Sequence, residues 1–126
     1  MYDGRNGPSD VSHASGNIQS IFESHFDVEG QTYEPTPFNG RSDYGPFIEI
    51  GIPAGGLAAG AEEIKTEAQR GRFGGVYKAA LDTCYHRACD NVENISHEAI
   101  HDLSRAAAHT LETLAFTDDL PAFLAK

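Results

Sequence analysis

The sequence predicts an α/β fold of which this chain carries only a part. Three observations lead there. Apolar residues recur at helical spacing in two separated stretches, one over Ile18, Ile21, Phe22 and Phe26 and one after His97. Between them, Phe47-Ile48-Glu49-Ile50-Gly51-Ile52 alternates and is rich in β-branched residues, the pattern of a strand. Only two or three such extended stretches can be found in 126 residues, too few for a complete buried sheet, whose open edges would be a liability.

Taken in order, residues 1–14 are rich in Gly, Asp, Asn and Ser without a period and read as an irregular lead-in. A first amphipathic helix is expected from Ser15 to Val28, stopped by Gly30. Pro35, Pro37 and Gly40 mark a short extended stretch and a loop, and the strand candidate at 47–52 follows. Gly55-Gly56-Leu57-Ala58-Ala59-Gly60 suits close backbone packing; no Lys-Ser or Lys-Thr pair follows to make it a phosphate loop. The segment Ala61 to Gly71 is polar with some helical character, and Gly71 to Gly75 is a turn. Val76 to Leu81 leads into a cysteine loop, Cys84 to Asp90, and Asn91 to Ile95 is another turn. Ser96 caps a last helix from His97 to Phe116, whose core face is expected to be Ile100, Leu103, Ala107, Leu111 and Leu114. Residues 117–126 read as a tail, and the chain has no internal repeat.

Composition narrows the function. The formal charge is −10, with nine scattered basic residues against nineteen acidic ones. That field repels phosphate backbones and anionic membranes, so nucleic acid and membrane are not expected partners. It is compatible with metal ions or with the free α-amino group of a peptide. Hydrophobic residues make up 40% of the chain, yet no stretch approaches the roughly 18 apolar residues of a membrane span. The start, Met1-Tyr2-Asp3-Gly4, lacks the basic and apolar segments of a cleavable leader. Cys84 and Cys89 read either as one short-loop disulfide of an exported protein or as two free thiols.

Two motifs compete as metal sites. His97-Glu98-Ala99-Ile100-His101 matches H-E-x-x-H, in which two histidines one helical turn apart chelate zinc and the glutamate acts as base. Its context points instead to a solvated helix start. His101 shares the polar side with Arg105 and Glu112, a cation one turn away opposes a dication, and the extended motif fails at Ser104 and Ala107. The rival is Cys84-Tyr85-His86-Arg87-Ala88-Cys89-Asp90. If the two sulfurs are joined, they fix the loop that presents His86. A fixed imidazole suits zinc, which holds nitrogen at about 2.0–2.1 Å, and a neighbouring tyrosine can donate to a developing oxyanion. A lone loop histidine is also commonly structural. A zinc knuckle that uses both thiols has ligand spacing at the wide end of the usual range.

Several stretches together resemble one family. Phe38-Asn39-Gly40-Arg41-Ser42-Asp43-Tyr44-Gly45-Pro46-Phe47, Gly51-Ile52-Pro53-Ala54-Gly55-Gly56-Leu57, Gly60-Ala61-Glu62 with Lys65-Thr66, Gly74-Gly75, and Cys84 to Asp90 are similar in order and spacing to the secreted bacterial zinc aminopeptidases and the related aminopeptidase Y group, from about Tyr2 to Leu114. The resemblance implies an α/β domain with a mostly parallel sheet between helices. It also implies removal of N-terminal residues from peptides with two adjacent zinc ions. It makes 15–116 the C-terminal part of a zinc peptidase domain. It implies that Cys84 and Cys89 are joined, that His86 is a zinc ligand, and that the Tyr85 hydroxyl steadies the tetrahedral intermediate. Gly40 and Arg41 match a loop near the substrate's amino end, while Asp43 is not a ligand in the family pattern. A secreted or periplasmic location follows from the same resemblance and the cysteine pair.

The departures shape the expectation. The family's other ligands (a His, a bridging Asp, a Glu and a second Asp) and its Glu base lie N-terminal to the stretch matched here. The chain alone is therefore expected to be an inactive portion of a metallo-aminopeptidase. Ala58 stands where a pocket-walling Phe is common, and His101 and Arg105 stand where some relatives bind calcium through acids. Two other readings stand beside this one: a non-enzymatic remnant of the fold that binds peptide ends or a partner, and an H-E-x-x-H zinc protease.

Overall fold

The computed structural model describes residues 1–125 and divides the chain into two compact units. The first comprises Met1–Leu57 and the C-terminal part from Ser104, the second Ala58–Leu103.

The first unit is organised by helix α1, Ser12–Glu29. The expected apolar stripe is its buried face, with Ile18, Ile21, Phe22 and Phe26 all under a tenth exposed. The helix begins earlier than its periodicity suggests. Val11 is buried just ahead of it, and the N–H groups of Val11 and Ser12 both donate to the Pro8 carbonyl, which winds the chain into the first turn. It ends as expected at Gly30, which takes the left-handed conformation (φ 66°) while the Gln31 N–H closes back onto the Phe26 carbonyl at 2.8 Å.

The lead-in is tied down rather than loose. A short 3-10 turn, Gly4–Asn6, rides directly on α1: a Cβ at Gly4 would stand 2.5 Å from the Ser15 backbone, so only glycine fits. Arg5 reaches over the same helix to clasp Glu23 with contacts of 2.7 and 2.6 Å and donates to Ser20 at 2.7 Å. Beside this turn, the Asp3 N–H donates to the Thr36 carbonyl and the Thr36 N–H to the Met1 carbonyl, both at 2.8 Å, forming a parallel bridge between Tyr2 and Thr36. The Tyr2 N–H donates to Gly56 at 3.0 Å. Val11, Phe38, Tyr44 and Ile48 complete the core, with Tyr44 stacked on Phe38 at 4.4 Å and the Tyr2 ring tilted against it at 4.7 Å.

Three expectations need correction. The segment expected as a strand at 47–52 instead contains helix α2, Gly45–Glu49. Pro46 supplies a preset helical φ at its start, the N–H groups of Phe47 and Ile48 return to the Tyr44 carbonyl, and Gly51 turns left-handed (φ 80°). Only Ile48 points inward; Phe47, Ile50 and Ile52 are exposed, which a half-buried strand does not allow.

The mostly parallel sheet is also not seen among the described residues. Its pairing there is limited to the Tyr2–Thr36 bridge and one antiparallel bridge, Ile64–Ala80. Extended segments this short have too few neighbours to accept their hydrogen bonds, and a ladder needs several paired residues on each side.

The third concerns helix α4, His97–Ala115, after α3, Glu67–Phe73. The Ser96 hydroxyl accepts from the Ala99 N–H at 3.2 Å, as its capping role requires. Of the stripe expected to face the core, however, Ile100, Ala107 and Leu111 are exposed, and the buried residues are Ala106 and Thr110. The packed face is rotated by roughly a quarter turn from the most apolar one. A short helix α5, Leu120–Leu124, follows, and Asn17 of α1 donates to its Leu124 carbonyl at 3.2 Å.

The second unit has a different construction. Residues 63–65 pair antiparallel with 78–81 through Lys65 to Ala79 (2.9 Å), Lys78 to Lys65 (3.0 Å) and Leu81 to Glu63 (2.8 Å). Helix α3 fills the connection and starts in a reciprocal cap, Thr66 accepting from the Gln69 N–H at 3.1 Å and the Gln69 side chain accepting from the Thr66 N–H at 2.9 Å. No residue of Ala58–Leu103 is fully buried.

Candidate active-site loop

The cysteine loop grows out of the second strand-like segment of that pairing. The Asp82 N–H donates to the Ala61 carbonyl at 2.8 Å, and its carboxylate then turns the chain: Oδ1 accepts from the Cys84 N–H at 2.9 Å and from the Asn94 amide at 3.1 Å. These hydrogen bonds, that of the Asn94 amide foremost and the Cys84 N–H next, hold the Asp82 carboxyl below its ordinary pKa. Asn94 also reaches Asp90 at 3.3 Å, while Asn91 caps the 3-10 turn Val92–Asn94 by accepting from the Glu93 N–H at 2.8 Å. Both ends of the loop are thus tied to one carboxylate–amide pair.

Within it, Cys84 and Cys89 form a disulfide with 5.3 Å between their Cα atoms, so of the two readings of this pair the joined one is observed. The Arg87 N–H donates to the Cys84 carbonyl at 2.9 Å and the Asp90 N–H to the Arg87 carbonyl at 3.0 Å, two tight turns under one covalent bridge. His86 stands at the apex with φ 55°, a left-handed conformation that costs a non-glycine residue on the order of 1–2 kcal/mol. The bridge and the turns hold that conformation, and the imidazole is left exposed. The half-buried Tyr85 ring lies flat against it, centroids 3.9 Å apart and planes 17° from parallel.

Tyr85, His86, Cys84 and Cys89 are therefore brought together in one rigid loop. Gly40 and Arg41 belong to the first unit, in another constrained turn. Gly40 is left-handed (φ 79°) and its N–H donates to the Tyr44 hydroxyl at 3.0 Å, while the Arg41 N–H donates to Asn39 Oδ1 at 3.2 Å. A Cβ at Gly45 would stand 2.5 Å from the Gly40 carbonyl oxygen, so the turn closes on itself only with glycine there. His97 and His101 of the H-E-x-x-H match are both exposed on the first turns of α4.

The supporting groups were not singled out from the sequence. Asp82 could have been found, because an Asp two residues before the cysteine is the pattern of a side chain that turns back on its own backbone. Asn94 and Tyr44 carried no such local signal.

The sequence pattern of peptidase family M28 matches residues 4–111. The chain belongs to peptidase family M28. This M28 chain is 44% identical over 124 residues to a probable leucine aminopeptidase 2 of Aspergillus fumigatus, covering 96% of the chain and 25% of that relative. It is 42% identical over 117 residues to leucine aminopeptidase 2 of Trichophyton rubrum and to a probable leucine aminopeptidase 2 of Aspergillus oryzae, covering 91% of the chain and 24% of each. It thus spans about a quarter of the length of the curated relatives it matches.

Family membership implies zinc, and the donors of the M28 chain can be tested against it. A catalytic zinc takes about three protein ligands. Among the described residues no three His, Cys, Asp or Glu side chains converge as a metal cage, and the cysteine loop offers one imidazole, its thiols being consumed in the disulfide. These residues do not by themselves fit a zinc centre.

Proposed function

We propose that this chain is the portion of an M28 metallo-aminopeptidase that presents the Tyr85–His86 pair to a two-zinc centre whose other donors it does not hold. In the complete enzyme the reaction is hydrolysis of the first peptide bond of a substrate with a free N-terminus. His86 would lend one imidazole to the metal pair, and the strained apex position leaves that imidazole exposed beside the Tyr85 ring. The Tyr85 hydroxyl donates a hydrogen bond to the oxyanion of the tetrahedral intermediate, a role worth about 3–4 kcal/mol for other oxyanion donors. Gly40 and Arg41 line the approach of the substrate's amino end, and the central sheet of the complete domain is mostly parallel, extending the Tyr2–Thr36 pairing. The disulfide supports a secreted or periplasmic location, since such bridges persist in oxidising compartments. Alone, the chain does not turn over peptides.

The observation that carries this reading is the disulfide-closed loop with a tyrosine and an exposed, left-handed histidine side by side, in a chain that belongs to M28. The test is a graft. The chain replaces the matching residues of the Trichophyton rubrum leucine aminopeptidase 2, and release of leucine from leucyl-p-nitroanilide is followed. An active chimera that loses activity with His86→Ala, and that loses about 100-fold in kcat with little change in KM on Tyr85→Phe, supports the reading. An active chimera indifferent to both substitutions overturns it. Robust turnover by the isolated chain would overturn the statement that it is inactive alone.

A further inference from the structure

Of the asparagines in the chain, Asn94 alone is followed two positions on by Ser or Thr, in Asn94-Ile95-Ser96. With a residue other than Pro in the middle, this is the acceptor pattern for N-linked oligosaccharide in exported proteins. A pattern so short recurs by chance, so its placement decides. Residues 91–98 are all exposed and belong to the second unit. Asn94 closes the 3-10 turn Val92–Asn94, Ile95 continues extended (φ −79°, ψ 126°), and helix α4 starts only at His97. A sugar rooted on this turn displaces no packed side chain, because no residue of the turn is buried. The neighbouring Val92 and Ile95 are exposed apolar residues, surface that a bulky hydrated glycan screens from other chains. The Ser96 hydroxyl that the pattern requires later caps α4, accepting from the Ala99 N–H at 3.2 Å. The two roles do not collide, since the oligosaccharide is transferred to the chain as it emerges, before the helix forms.

We propose that Asn94 is an N-glycosylation site, loaded as the chain is exported. This rests on the secreted reading given above. The donor is a polyprenyl-diphosphate-linked oligosaccharide. A bond forms between Asn94 Nδ2 and the anomeric carbon, and the bond from that carbon to the diphosphate oxygen breaks. The diphosphate leaves with the electron pair, and Nδ2 gives up one of its two protons. That nitrogen is also the atom that ties Asp82 at 3.1 Å and Asp90 at 3.3 Å, at the foot of the cysteine loop. Unmodified, it has two N–H groups for the two carboxylates; glycosylated, it has one. The glycan therefore weakens one of these ties, while the Cys84–Cys89 bridge keeps the loop closed. The modification and the loop that presents Tyr85 and His86 share one hydrogen-bond network.

The full 126-residue chain, behind a cleavable export leader, is translated in a cell-free system with rough microsomes. The chain protected from added protease is run on gels with and without peptide-N-glycosidase, and its thiols are counted by alkylation. The expected result is one discrete upward shift, removed by the glycosidase. It should be absent in Asn94→Gln and in Ser96→Ala and kept in Ser96→Thr, which restores the hydroxyl. Because transfer precedes folding, a variant that folds poorly still reports. A shift in a chain whose thiols stay free would support the site and count against the secreted reading. No shift in the protected chain would overturn the site, and where its cysteines are joined the secreted reading stands. A shift that persists in Asn94→Gln would also overturn the site.

Discussion

The two units of this chain are held together by different physics. In the first, ten hydrophobic residues, among them Ile18, Ile21, Phe22 and Phe26 of α1 and Phe38, Tyr44 and Ile48 beside it, are under a tenth exposed. In the second no residue is fully buried, and order comes from a short antiparallel pairing, a capped seven-residue helix, one carboxylate–amide knot and a disulfide. Burial is non-directional and fixes where an element lies, whereas hydrogen bonds and a covalent bridge fix how a particular turn is shaped. The groups proposed to do chemistry, Tyr85 and His86, stand in the unit built the second way. A site that needs an exposed imidazole in a left-handed conformation cannot be made by burying it.

Five perturbations sharpen this contrast. The largest effect is expected from Phe22→Ala, which opens a cavity in the first unit and should cost about 3–5 kcal/mol. Thermal unfolding would show the loss, and amide exchange should accelerate along α1. A comparable loss from Phe73→Ala, on the exposed face of the second unit, would break the distinction.

Next is removal of the disulfide by Cys84→Ser with Cys89→Ser. A loop this short is stabilised by roughly 2 kcal/mol in the chain-entropy picture. Exchange should quicken between Cys84 and Asp90, with α1 unchanged. If instead α1 loosens to the same degree, the units do not have separate sources of stability.

Thr66→Ala should come third, removing one side of the reciprocal cap on α3 at about 1 kcal/mol, read as a local loss of helicity by NMR.

The smallest effects are electrostatic. The Arg5 guanidinium, hydrogen-bonded to Glu23, holds that carboxyl below its usual pKa. For a depressed carboxylate the contribution is complete above the ordinary carboxylate range and is lost as the pH falls through the lowered value. Glu23→Gln should therefore cost about 0.5–1 kcal/mol at pH 7 and nothing in strong acid, as a half-exposed pair allows. Asp82 has the same sign, so acid should loosen the cysteine loop as well, and Asp82→Asn should blunt that acid response in the NMR signals of residues 84–90. A loop whose signals are indifferent to pH in the wild type would show that the knot is not held by the charged form of Asp82.

Sequence alone determined the features that are local. The period of Ile18, Ile21, Phe22 and Phe26 dictated α1 and its buried side, Gly30 its end, and Ser96 the start of α4, because spacing and caps act within a few residues. The motifs from Phe38 to Asp90, read together, identified the family. Tertiary structure decided whatever depends on a partner distant in sequence. Phe47–Ile52 has the residues of a strand, but among the described residues no strand lies beside it, and its first residues wind into α2 behind Pro46. The face of α4 that packs is set by what it meets, so Ala106 and Thr110 are buried while Ile100 and Leu111 remain outside. Asp82 meets Asn94, and His25 meets His109, only once the chain has closed distances that no periodicity encodes.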